Sequence, residues 1–122
     1  MKLLKKTTRE IGGQGEDNAR NFLKEHGIKI RESNFRCKFG EIDIIGDDGN
    51  SLLFIEVKTR KRTDYGQPFE TVTPQKQKKI ILAAQRYLQK HPKLANKACR
   101  FDVISIVDDK IDWIQDAFNT NF

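Results

Sequence analysis

Apolar residues along this chain fall into short blocks whose spacing changes from helical to alternating and back. Ala19, Phe22 and Leu23 recur at helical intervals, and Gly27 follows as a C-terminal stop. This predicts a first helix over 14–26, preceded by a flexible N-terminal arm, residues 1–13, in which Gly12-Gly13 interrupts any periodicity. Three strand-like runs come next, at about 29–36, 41–45 and 52–59. Turn chemistry in Gly46-Asp47-Asp48-Gly49-Asn50 makes the second and third an antiparallel hairpin. The polar stretch 60–73, with Gly66 and Pro68, reads as a loop. Thr73 is then a good N-cap and Pro74 suits the first helical position. Ile80, Ile81, Ala84, Tyr87 and Leu88 carry a second helix that ends before His91-Pro92. Two further strands, about 100–107 and 110–114, meet at Asp108-Asp109. The order α-β-β-β-α-β-β predicts an α/β fold, a mixed sheet with a helix on each face, in one domain over 14–122.

The informative exceptions to this pattern are charges inside strands. Side chains alternate across a sheet, so Leu53, Ile55 and Val57 take one face while Leu52, Phe54, Glu56 and Lys58 take the other. In the preceding strand, Glu41 and Asp43 share a face and Ile42 and Ile44 take the opposite one. If Asp48-Gly49 is the two-residue turn, paired positions sum to 97, and Asp43 lies opposite Phe54. A slip of two sets Asp43 opposite Glu56 and preserves every face. Either register points Asp43, Glu56 and Lys58 to one side. Glu16 lies three residues before Ala19 and seven before Leu23, on the core-facing side of its helix, an unusual placement for a carboxylate.

Like charges facing each other on a half-covered sheet are destabilising unless something compensates. A divalent cation does so. Asp43, Glu56 and the main-chain carbonyl of Val57 supply hard oxygen ligands of the kind Mg²⁺ or Mn²⁺ takes, with positions left for water and phosphate. Such an ion activates water and offsets charge on a phosphate, and the Lys58 ammonium could stabilise the transition state. The plainer reading is a surface salt bridge between Lys58 and either acid. It loses ground because Leu52 and Phe54 require the same face to be covered.

Composition then narrows the class. The 122 residues carry a formal net charge of +6, with a pI near 9.4. A Lys/Arg surplus suits a polyanionic partner through counterion release, although it also serves ordinary solubility. Cys37 and Cys99 show neither CxxC spacing nor His partners at zinc-ligand spacing, so two reduced thiols are expected. The basic N-terminus lacks the apolar core of a signal peptide, and no run approaches the roughly 20 apolar residues of a membrane span. A soluble, cytoplasmic protein with no membrane partner is expected.

The sequence resembles the uncharacterised bacterial YraN-like family of the PD-(D/E)xK, or restriction-endonuclease-like, superfamily. The resemblance runs from about Gly15 to Phe118 and rests on GEDNARNFL from Gly15, NFRCKFGEIDII from Asn34, LLFIEVKTR from Leu52, YGQPFETVTPQK from Tyr65 and RFDVISI from Arg100. It implies a three-layer α/β/α restriction-endonuclease-like core. It also implies a metal-dependent endonuclease hydrolysing phosphodiester bonds, with DNA the expected nucleic acid. Asp43 then takes the place of the motif's Asp, Glu56 its second acid and Lys58 its lysine. Glu16 is similar to the first-helix glutamate that Holliday-junction resolvases add to their metal site. Ile42 stands where the motif has Pro. Lys76 matches a lysine recurrent in the family and lies on the stripe of Ile80, Ala83 and Tyr87.

Further cations extend the candidate site. Arg60, Lys61 and Arg62 leave it directly and suit phosphates beside the scissile one. Lys76, Lys78, Lys79, Arg86 and Lys90 make the second helix basic, and a subset that includes Lys76 and Lys79 is a candidate phosphate contact. Asp102 reads as a structural partner of Arg100 or a lysine, and Trp113 as a core or edge anchor. Tyr65 beside Gly66 is a weaker candidate for stacking on nucleic acid. A non-catalytic nucleic-acid-binding module is the rival function, and a scaffold for an acidic protein a third. A homodimer is a candidate state, since nucleases that cut both strands of a duplex often pair.

Overall fold

The computed structural model describes residues 8–60 and 72–119, with side chains from Gln14 onward. Helix α1 spans Thr8–Glu25, and strands β1, β2 and β3 span Lys29–Cys37, Gly40–Asp47 and Ser51–Arg60. Helix α2 spans Pro74–Lys90, and after a 3-10 turn at Pro92–Leu94, β4 and β5 span Ala98–Val107 and Lys110–Phe118. They form one five-stranded mixed sheet in the order β1-β2-β3-β4-β5. Neighbours are antiparallel except β3 and β4, which pair in parallel over their full length, from Ser51↔Ala98 to Arg60↔Val107. α2 makes the crossover that a parallel pair requires. No helix among the described residues is long and apolar enough to cross a membrane.

Each helix buries its apolar stripe against one face. Ala19 and Leu23 of α1 pack with Ile44, Leu53, Ile55, Ile104 and Ile106. Ile80, Ile81, Ala84 and Tyr87 of α2 pack with Phe35, Ile45, Leu52, Phe54, Phe101 and Val103. The alternation read in β3 is therefore the division between two cores, and Leu52 to Ile55 are fully buried. α2 starts as expected, with Thr73 Oγ1 accepting from the Lys76 N–H at 3.2 Å.

The differences from expectation are local. α1 begins at Thr8, six residues before the expected Gln14. Gly12 and Gly13 each cost a helix about 1 kcal/mol relative to Ala but do not interrupt its hydrogen bonds. The part of the expected arm over 1–7 lies outside the described residues. The β2–β3 turn is centred on Gly49-Asn50, one position later than Asp48-Gly49, and paired positions sum to 99, as in Ile44↔Ile55 and Asp47↔Leu52, which is the alternative register slipped by two. Asp48 Oδ1 accepts from the Asn50 and Ser51 N–H groups, which fixes that position. Alternation also fails in β2. Ile44 belongs to the α1-side core and Ile42 to the α2-side core, although they were expected on one face.

Candidate functional site

β2 and β3 are paired as far as Ile44↔Ile55 and then part. Asp43 fills the opening. Its Oδ2 accepts a hydrogen bond from the Val57 N–H at 2.8 Å, replacing a ladder contact that the diverging strands no longer make. Between Ile55 and Val57 on β3, Glu56 is mostly buried, with its side chain 13% exposed. Lys58 follows on the same face, partly buried, with the buried Ser105 as its register partner on β4. Thus the end of a rigid central strand presents an acid and a base where its core residues run out.

Electrostatics tie these groups together. The Asp43 carboxyl is pushed up to about 7, first by burial and next by Glu56, with Glu16 and Glu41 adding and the Val57 N–H opposing. Glu56 is raised by burial, while Lys76 and Lys58 pull it back and Glu41 and Glu16 add to the rise. Four carboxylates from α1, β2 and β3 therefore share one field. Lys76 reaches across from the first turn of α2, its Nζ 3.8 Å from Glu56 Oε1. That contact bears out the inward orientation read from its stripe.

Two members were not singled out from the sequence. Asn34, between Phe35 and Ser33 on β1, has φ of 54°. One atom of its amide lies 3.0 Å from both Glu41 Oε1 and Glu16 Oε2, and because two carboxylates there need a donor, the amide is assigned with its nitrogen in that position, donating to both. Glu41 also lies 3.5 Å from Arg36 Nε. Glu41 was placed beside Asp43 by alternation but given no role. Nothing in the local sequence of Asn34 announces a left-handed residue inside a strand.

The other candidates fall as follows. Arg60 is partly buried at the end of β3, and its carbonyl accepts from the Asp108 N–H at 3.4 Å. Lys61, Arg62 and Tyr65 lie outside the described residues. Lys79 is exposed, with its stem against Gly40 at the β1–β2 turn. Asp102 is fully buried and satisfied. It accepts from Arg100 Nε at 2.9 Å, Arg100 NH2 at 2.8 Å, Trp113 Nε1 at 2.9 Å and the Asp116 N–H at 2.9 Å. Asp102 is thus the structural partner of Arg100 that its position suggested, and Trp113 is anchored through the same carboxylate, a contact that was not expected.

The donor set suits a hard cation. It is all oxygen, it concentrates negative charge at low exposure, and it sits beside two ammonium groups. Among the described residues, no three His, Cys, Asp or Glu side chains converge closely enough to form a ready metal cluster. Mg²⁺ requires no such cage, since it is commonly held by one or two carboxylates with water and phosphate completing its shell. Asp43 and Glu56 are two such carboxylates, close enough for Glu56 to raise Asp43. Glu16 stands next to them, engaged by Asn34.

The family model for the uncharacterised protein family UPF0102 matches residues 15–106, a span that includes every element of this site. The chain belongs to UPF0102. Among its relatives, UPF0102 proteins of Nitrosococcus oceani and Herminiimonas arsenicoxydans are 42% and 43% identical to it over 116 residues. These alignments cover 92% and 94% of this chain and 94% and 92% of the relatives. A UPF0102 protein of Coxiella burnetii is 42% identical over 116 residues, covering 94% of this chain and 97% of its own. The site therefore lies in the body of the UPF0102 domain.

Proposed function

We propose that this UPF0102 protein is a metal-dependent endonuclease with a restriction-endonuclease-like, PD-(D/E)xK core, acting on phosphodiester bonds in nucleic acid, with DNA the leading substrate. The observation that carries this reading is the position of Asp43. Its carboxylate is held at the parting of two strands by the Val57 N–H and is raised to about 7 beside Glu56. Lys58 and Lys76 both act on the same Glu56. A structural salt bridge needs one acid and one base. Here a second and less solvated acid is added, at a cost that a retained proton offsets below about pH 7 and a further cation offsets above it.

Asp43 and Glu56, with the Val57 carbonyl, would hold Mg²⁺ or Mn²⁺, and Glu16 would act from beside them. A bound divalent cation would supply Lewis acidity toward water and the phosphate. Lys58 projects from the same strand and stabilises negative charge developing on the phosphoryl oxygens. Lys76 neutralises Glu56 before substrate arrives and is then available to a phosphate. Arg60 and Lys79, together with Lys61 and Arg62, which follow Arg60 in sequence, would grip flanking phosphates.

One observation favours a second reading, a nucleic-acid-binding module without turnover. The Lys76–Glu56 ion pair gives Glu56 a partner without metal. The two are separated by incubating the protein with linear, branched and flapped DNA and with RNA, in Mg²⁺ or Mn²⁺. Metal-dependent cleavage that falls by about 10²–10³ in Lys58→Ala and disappears in Asp43→Ala supports the nuclease. Salt-sensitive binding with no cleavage under either metal supports the module, and cleavage unchanged in both variants refutes the assignment.

A further inference from the structure

Asn34 of β1 touches two of the four carboxylates and lies at the level of a third. Asn34 and Asp43 occupy the positions between two consecutive register pairs of β1 and β2, Ser33↔Ile44 and Phe35↔Ile42. On one side of them, Ile44 belongs to the α1-side core. On the other, Phe35 and Ile42 both belong to the α2-side core. Both strands therefore turn at the same level. The turn in β1 has a visible cause, because Asn34 is left-handed at φ 54°, a conformation that non-glycine residues seldom adopt and that Asn tolerates best. The turn in β2 takes Asp43 out of the alternating pattern and presents it to the Val57 N–H.

The side chain of the same residue acts on the other two acids. Its amide bridges Glu16 of α1 and Glu41 of β2 at 3.0 Å each. A neutral donor shared between two carboxylates holds them close without supplying a counterion, so their charge still bears on Asp43 and Glu56. Lysine or arginine at this place would bind the acids equally well and cancel that field.

We infer that Asn34 is the positioning residue of the acid cluster: its left-handed backbone aims Asp43 at β3, and its amide fixes Glu16 and Glu41 beside it. This deepens the nuclease reading and rests on it for its consequence, but the bridge itself is independent of any metal. Glycine keeps the left-handed backbone and deletes only the amide, so Asn34→Gly is the variant that separates the two roles.

The first test uses ¹⁵N spectra of the metal-free protein. The Asn34 side-chain NH₂ signals shift in Glu16→Gln and again in Glu41→Gln. Signals that stay in place in both variants overturn the bridge. The second test titrates Mn²⁺. Asn34→Gly and Glu16→Gln each weaken binding by about tenfold, the scale of outer contacts to metal ligands. The double variant is no weaker than either alone, because Asn34 acts through Glu16. Losses that multiply to about a hundredfold show independent effects and overturn the positioning role. If the unaltered protein binds no Mn²⁺, the metal-site reading fails, while the spectra still decide the bridge.

Discussion

Asp43 carries the largest electrostatic burden of any residue with a resolved shift, and that burden has a measurable sign. Its carboxyl titrates at 3.8 when unperturbed and at about 7 in the folded protein. Between those values the folded state keeps a proton that the unfolded state has released. Stability from this group is therefore full below pH 3.8 and is lost as pH rises through about 7, by on the order of 4 kcal/mol over the interval. Asp43→Asn keeps an acceptor for the Val57 N–H and removes the charge. In urea unfolding of the metal-free protein, it is expected to be more stable than the unaltered chain at pH 8 and equal to it at pH 4. A lower stability at pH 8 would contradict the charge assignment. Asp47 shows the opposite balance. Burial alone would raise it, but the Gly49 N–H, Lys97 and Arg31 together lower it, which marks an acid with a completed structural role. This contrast between acids was only half legible in the sequence. Asp43, Glu56 and Lys58 stand out as charges within apolar strands. Asn34 does not, because its importance comes from a positive φ and from two acids distant in sequence.

At the scale of elements, the site is assembled by how closely α1 lies on the end of β3. Gly15 is buried there, and a Cβ on it would come 2.5 Å from Thr59 Oγ1 and 3.6 Å from Thr59 Cβ. The β-branched Thr59 is restricted about χ1, so relief comes either from a less favoured rotamer or from separation of helix and strand. Gly15→Ala is expected to destabilise the protein by about 1–3 kcal/mol, the usual range for overpacking. Adding Thr59→Ala should recover most of that loss in the same unfolding measurement. An additive effect of the two changes would show that the helix does not pack as described. The separation of faces in β3 could be read in advance, since strict alternation survives in a central strand paired on both sides. It could not be read for β2. There the ladder to β3 stops at Ile44, the strand turns at Asp43, and Ile42 crosses to the other core. β5 likewise runs to Phe118, past the expected 114. Its register jumps between Phe101↔Phe118 and Val103↔Ile114, and the Asp116 N–H caps Asp102 there.

For the whole molecule, the sheet order follows from the element order. A hairpin pair on one side, a helical crossover and a second hairpin leave β3 and β4 central, with the site at the end of β3. The net charge is +6, while Glu16, Glu41, Asp43 and Glu56 concentrate negative charge locally; under the proposed function the first serves a polyanion and the second a cation. Affinity for DNA is expected to fall linearly with salt on logarithmic axes, each neutralised phosphate contributing about −0.9 to the slope. Lys76→Ala should reduce that slope by about one phosphate. An unchanged slope would confine Lys76 to its pairing with Glu56. Composition made a polyanion an expectation, but not its path, because Lys58 of β3 and Lys76 of α2 are brought to the same Glu56 only by folding.

The central claim, that Asp43 and Glu56 jointly hold a divalent cation, is most directly tested by calorimetric titration of Mn²⁺ into the metal-free protein across pH. With the Asp43 carboxyl at about 7, binding must displace a proton. Binding is expected to be tighter at pH 8 than at pH 6, with an observed enthalpy at pH 6 that varies with the buffer's ionisation heat in proportion to the protons released, and to be lost in both Asp43→Asn and Glu56→Gln. Binding that persists in those variants, or that shows no proton release at pH 6, would contradict it.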